Sequence, residues 1–545
     1  MKLILATFLL TALCASAHGQ DQHEHQHGAH EELGEVDFPV SCSPAAQKQF
    51  NRADALLHSF GYELAEKAFS DVLKTDPSCA MAYWGIAMSQ YHPIWAPPTP
   101  AELKKGLEAV EKARSMTIKI NRERDHIAAI EVFYKDNDKI DHPTRTLAYE
   151  KAMERLHARY PEDREGTIFY ALSLLGTASS RPVDKFFTKQ KRAVEILNPI
   201  VSQAPNHPGV AHYIIHSYDY PQLAGLALPA ARSYAKIAPS SPHALHMPTH
   251  IFTRLGLWQE SIQSNINSAD SAKRLVAISH PGSGSFDQLH AMDYLVYGYL
   301  QGGQDQKAKQ VLAEMKTIDK LDDYVIAAAY SFAAAPARFA VERGRWAEAA
   351  KLTPHPASFP WNRFPQAEAN TYFARAIGSA RSGDPTAARK DVERLETLRQ
   401  TLITSKDPYW PTQVEIQKLS AEAWIAKAES KNEDAVQIMR SAAELEDSTD
   451  KHPVTPGAVV PARELLGDLL LELGRPADAL KEYEASLQSS PNRLKGLYGA
   501  GYSAELAGDR KKAREFYGKL VEVCAKADSQ LAELSHARKF LAAGN

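Results

Sequence analysis

The 545-residue sequence predicts an all-α chain, a right-handed α-solenoid of about 10–12 helix hairpins, from its length, composition and internal spacing. The length exceeds what one hydrophobic core supports, so the chain is either several domains or an array of repeats. Hydrophobic residues are 44% and charged residues 24%, with Ala, Leu, Glu, Lys and Arg recurring in helix-forming runs. The spacing decides for repeats. Gly467, Gly474, Ala479 and Tyr483 return 34 residues later as Gly501, Gly508, Ala513 and Tyr517.

A helix, a glycine turn and a second helix that meets the first through small residues make the tetratricopeptide unit, whose period is about 34 residues. Each such pair has an apolar face that only its neighbours bury. The same ladder opens the chain at Ala53, Ala65, Phe69 and Pro77, with Ala87 starting the next unit. It recurs more loosely at Gly303 with Ala308, Gly344 with Ala349 and Gly383 with Ala388. Proline-rich interruptions at His92–Pro98, His280–Gly284, Pro354–Pro365 and Pro453–Pro461 are expected to be loops that dip toward the concave side. The most apolar later stretch, Tyr324–Val341, carries Pro336 and Arg338 and is expected to be a buried helix pair, not a membrane span.

The amino terminus has the layout of a cleaved export signal: Lys2, an apolar run from Leu3 to Leu13, then Ala15-Ser16-Ala17. Three regions follow: residues 1–17 as signal peptide, 18–40 as a polar, histidine-rich disordered tail, and 41–545 as the solenoid. Lipidation at Cys14 is the alternative to cleavage, and the bulky Leu13 before it argues against that. An exported chain resides in the periplasm or outside the cell, where cysteines oxidise. Cys42 and Cys79 bracket the first helix pair, and a disulfide between them would staple an end of the solenoid that lacks one neighbour; Cys524 is expected to be structural. A net charge of −3 supplies no positive field for a phosphate backbone, which argues against nucleic acid as a partner.

Beyond the generic repeat, Cys79–Gly85, His207–His216 and His246–Ile251 resemble a family of exported bacterial tetratricopeptide proteins without a settled biochemical role. The resemblance spans nearly the whole chain after the signal. It implies the fold and transfers no catalytic residue.

Histidine carries the chemistry. Eight of the 21 histidines lie between His207 and His290. Pro208 and Pro242, 34 residues apart, each suit the first turn of a helix, and Gly256 then falls at the expected turn. In that phase His212 and His216 share one face of a first helix, and His243, His246 and His250 share one face of the next. In tetratricopeptide arrays such faces line the concave groove, so these imidazoles converge, with His290 and Asp293 joining from the following unit. Imidazoles one turn apart hold transition metals, zinc and copper among them, and a nearby carboxylate acts as a ligand or fixes a tautomer. The alternative is a polar core in which the histidines bond to neighbouring helices, Tyr213, Tyr218 or Asp219. Pro248 threatens to kink the helix between His246 and His250. The tail histidines His18, His23, His25, His27 and His30 could collect metal weakly.

Trp84, Met88, Tyr91 and His92, with Trp95 in the loop beyond, form an aromatic set suited either to docking a peptide or carbohydrate or to core packing. There is no Gly-x-Ser-x-Gly, no phosphate-binding glycine loop and no His-Glu-x-x-His. The sequence thus supports a scaffold holding a peptide, protein or envelope component in its groove, with a transition-metal-binding protein as the alternative reading. A metal-dependent enzyme, the third, requires an open coordination position and a base such as Asp219, Asp287 or Asp293.

Overall fold

The repeat signature has a steric origin. A Cβ on Gly467 would lie 2.7 Å from the Tyr483 ring, and a Cβ on Gly501 would lie 2.7 Å from the Tyr517 ring, so in both units the two helices approach through glycine. The turn between the helices needs left-handed backbone, which glycine adopts without strain: φ is +70° at Gly474 and +83° at Gly508. Helices start where the sequence signals a start. Thr99 and Glu102 form a reciprocal capping box for Pro100–Ser115, Ser43 caps Pro44–His58, and Asp141 caps His142–Arg159.

The computed structural model describes residues 31–94, 97–180 and 184–543. Among them the chain is an all-α solenoid of twelve tetratricopeptide-type helix pairs, from Pro44–His58 with Tyr62–Thr75 to Leu494–Leu506 with Arg510–Val523, closed by the single helix Ala532–Ala542. Within residues 32–545, one core runs from Leu33 to Phe252 and a second from Ile262 to Phe540. Each half folds back on itself. In the first, the Tyr234 hydroxyl donates to Ser59 Oγ at 3.2 Å. In the second, the Trp258 indole N–H donates to the Asn492 carbonyl at 2.7 Å, and Asp528 accepts the backbone N–H groups of Gln306 and Lys307.

Three expectations are corrected. The stretch after Glu31, assigned to the disordered tail up to residue 40, is packed: Leu33 and Phe38 are buried, and Phe38 sits 5.1–5.7 Å from the rings of Phe50, Trp84 and His126. The polar composition of the tail concealed these two apolar anchors. Tyr324–Val341 is not a helix pair but part of one helix, Ile326–Glu342, that continues through Pro336. Packing on all sides outweighs the backbone hydrogen bond that proline forgoes. Trp84, Met88 and Tyr91 do not line a groove; all three are at most 1% exposed and belong to the core of the first half.

Cys42 and Cys79 are joined in a disulfide, with Cα atoms 4.9 Å apart, and Cys524 is buried and free. The bridge ties residues 37 apart, so the double substitution C42S/C79S is expected to lower stability by about 3–4 kcal/mol through the freed unfolded chain. Urea unfolding of the oxidised wild type against the variant measures it. No helix among the described residues is long and apolar enough to cross a membrane.

Candidate metal centre

Pro208 and Pro242 open their helices as expected, and Gly256, at φ +65°, makes the turn. Helix assignment breaks at Met247, between Pro242–His246 and Pro248–Arg254, yet Met247 keeps helical dihedrals (φ −51°, ψ −36°). Pro248 therefore leaves His246 and His250 on one face, ring centres 5.1 Å apart. His290 arrives from the helix Phe286–Gln301, its ring 4.3 Å from His246. All six predicted histidines are buried and form one continuous cluster at the junction of the two halves.

Asp293 is not in it. The buried Arg338 guanidinium holds its carboxylate, and the predicted seventh ligand serves as an ion-pair partner instead. Its place one turn beyond His290 put it on the right helix face, but Arg338 comes from a different repeat. His92 lies apart, 4.5 Å from the Tyr62 ring and 3.8 Å from Glu102, and Trp95 lies outside the described residues, as do the tail histidines.

The hydrogen bonds around the cluster fix the protons of three of its rings. His212 Nδ1 lies 2.7 Å from the His58 carbonyl, which can only accept, so Nδ1 carries the hydrogen. His250 Nδ1 donates to Asp219 at 2.9 Å. His246 Nδ1 donates to Asn265 Oδ1 at 2.8 Å, the amide being oriented by its own N–H bond to the Ser261 carbonyl. Each of these imidazoles, when neutral, then has a bare lone pair on Nε2. His246 Nε2 and His250 Nε2 face each other at 3.2 Å, and His212 Nε2 faces His243 Nε2 at 3.1 Å. His216 Nε2 is buried without a hydrogen-bond partner. Burial, aided by the neighbouring imidazoles, pushes His212, His216, His243, His246 and His290 well below the ordinary histidine pKa. It also lowers His250, against the pull of Asp219.

A neighbouring buried group shows the contrast. His58 and His207 turn their Nε2 atoms to the two oxygens of Glu165, at 3.0 and 2.9 Å. Burial opposes charge on His58, but Asp54 and Glu165 prevail and raise it to about 9. There protons satisfy the geometry. Between His246 and His250 bare nitrogen faces bare nitrogen.

Several of the surrounding residues were not singled out in the sequence. Phe60 lies 4.3–5.6 Å from His212, His216 and His243, and Tyr294 lies 4.7–5.5 Å from His246, His250 and His290. Asp219 pairs with Arg254 and Lys451 as well as with His250. Lys451 belongs to the loop before Pro461, which does dip inward as expected. The Tyr294 hydroxyl lies 3.2 and 3.1 Å from the carbonyls of Pro453 and Thr455, and Arg338 donates to the Gly457 carbonyl, so this strap covers the cluster. Proline content marked the strap as a loop, but nothing local in the sequence says which residues it covers.

No family model and no curated protein matches the chain. Solved structures that resemble it include a human IFIT1 dimer with m7Gppp-AAAA, at 11% identity and a TM-score of 0.35, covering 82% of this chain and 90% of that one. A monomeric IFIT1 mutant with Gppp-AAAA gives 10% identity and a TM-score of 0.36, covering 89% and 96%. Naa15/Naa10 bound to HypK-THB gives 11% and 0.23, covering 91% and 92%. Likeness at this level carries no argument about ligand or function.

Proposed function

We propose that this is an exported transition-metal-binding protein whose centre is His212, His216, His243, His246, His250 and His290. The observation that carries the reading is the His246–His250 pair, whose Nδ1 hydrogens are committed outward while two bare Nε2 atoms face each other at 3.2 Å. Two buried lone pairs at that distance repel unless a cation lies between them, and burial disfavours a proton there. A tetrahedral ion with bonds of about 2.0–2.1 Å would set neighbouring nitrogens about 3.3 Å apart, close to both facing pairs. Outward acceptors that fix each tautomer are the usual support of ligating imidazoles. Export is supported by the signal-like amino terminus and by the Cys42–Cys79 disulfide.

The test is elemental analysis of untagged protein in which His18, His23, His25, His27 and His30 are replaced by alanine. Metal should remain bound at one or more equivalents per chain; a metal-free protein that also takes up none on dialysis against zinc or copper would rule the reading out. Asn265→Leu, which removes the acceptor for His246 Nδ1, is expected to weaken metal retention about 10–100-fold with the fold intact. Competition with a chelator measures it.

A further inference from the structure

The six ligands divide. His212, His216 and His243 have ligand atoms within 4.8 Å of one another, and so do His246, His250 and His290. Each triad has its own facing nitrogen pair and its own aromatic cover, Phe60 over the first and Tyr294 over the second. Ring centres do not separate the triads, since His216 and His250 lie 6.1 Å apart across them and His216 and His243 lie 6.4 Å apart within one; the ligand atoms make the division. Three protein ligands per ion are a complete tetrahedral set less one position.

Charge narrows the choice of ion. Every ligand is a neutral imidazole. Of the carboxylates around it, Asp219 and the neighbouring Asp450 face Arg254 and Lys451, two charges against two, and Asp293 is offset by Arg338. Two divalent ions would bring four positive charges into a buried site with no negative charge left to meet them, and uncompensated buried charge is costly. Monovalent ions halve that load. Among the first-row metals that imidazole binds, copper is the one with a stable monovalent state. Resting on the metal-binding reading above, we infer that the cluster is a dinuclear copper centre, one Cu(I) per histidine triad.

The experiment uses the full chain carrying the five tail substitutions, stripped of metal and titrated anaerobically with Cu(I) against a chromogenic Cu(I) chelator. Two equivalents per chain should be withdrawn from the chelator, and a tenfold excess of Zn(II) should not displace them. H216A/H243A should retain one equivalent, and H250A/H290A the other. Copper K-edge absorption of the protein with its six cluster histidines intact needs none of these double variants to fold, and should show three imidazole nitrogens per copper. One equivalent per chain, four or more imidazoles per ion, or displacement by zinc would overturn the paired copper centre while leaving metal binding in place. No uptake of either metal would overturn the metal reading itself.

Discussion

H216A/H246A, which takes one ligand from each triad, is expected to lose more than nine-tenths of its bound metal, whereas H157A and H536A lose none. The controls lie outside the cluster: His157 bonds the Thr167 hydroxyl at 2.9 Å and His536 bonds Glu505 at 2.8 Å. Removing His216 deletes an imidazole whose Nε2 has no hydrogen-bond partner in the protein, so no hydrogen bond at that nitrogen is lost with it. Removing His246 leaves His250 Nε2 without its facing nitrogen. Metal analysis after gel filtration, with helix content followed by circular dichroism, separates ligand loss from unfolding. Unchanged metal content in a folded double variant would eliminate the cluster as the site.

Arg493→Ala is expected to destabilise the second half by about 3–5 kcal/mol, because it strands two buried carboxylates. Arg493 is fully buried and bonds Glu464 at 2.7 and 3.0 Å, Glu342 at 2.7 Å and the Tyr297 hydroxyl at 2.8 Å. Glu342 and Tyr297 belong to central repeats and Glu464 to a late one, so a single guanidinium ties the carboxyl-terminal pairs back to the middle of the chain. Hydrogen exchange should accelerate in Leu494–Leu506 and in Trp258–Ser279, whose Trp258 bonds the Asn492 carbonyl. The triple variant E342Q/E464Q/R493M, which removes all three charges together, should recover much of the loss. If the single and triple variants are equally unstable, packing rather than charge holds this closure.

The repeats were legible because each rests on local rules. A glycine must stand where a tyrosine from the partner helix presses on the backbone, and another where φ turns positive, so the period is visible even in one sequence. The six histidines were legible for the same reason, since helical phase alone sets which side chains share a face. What stayed hidden depends on parts of the chain far apart in sequence. Asp293 has the right phase, but its partner Arg338 comes from another repeat. The aromatic set at Trp84 has the phase of a groove, yet Phe38, from a stretch read as tail, closes over it at 5.5 Å. Solenoid phase locates the concave side; it does not say whether that side is open.

The strap from Lys451 to Gly457 bears on time rather than affinity. It reaches the cluster from more than 150 residues beyond His290 and is pinned by Asp219, Tyr294 and Arg338. In the proposed metal-bound form, release behind the strap is expected to be a unimolecular gate: the rate at which a chelator strips the protein should level off as chelator concentration rises, at the opening rate of the strap. In that proposed form the residence time of the ion is set by the protein rather than by the metal in its surroundings.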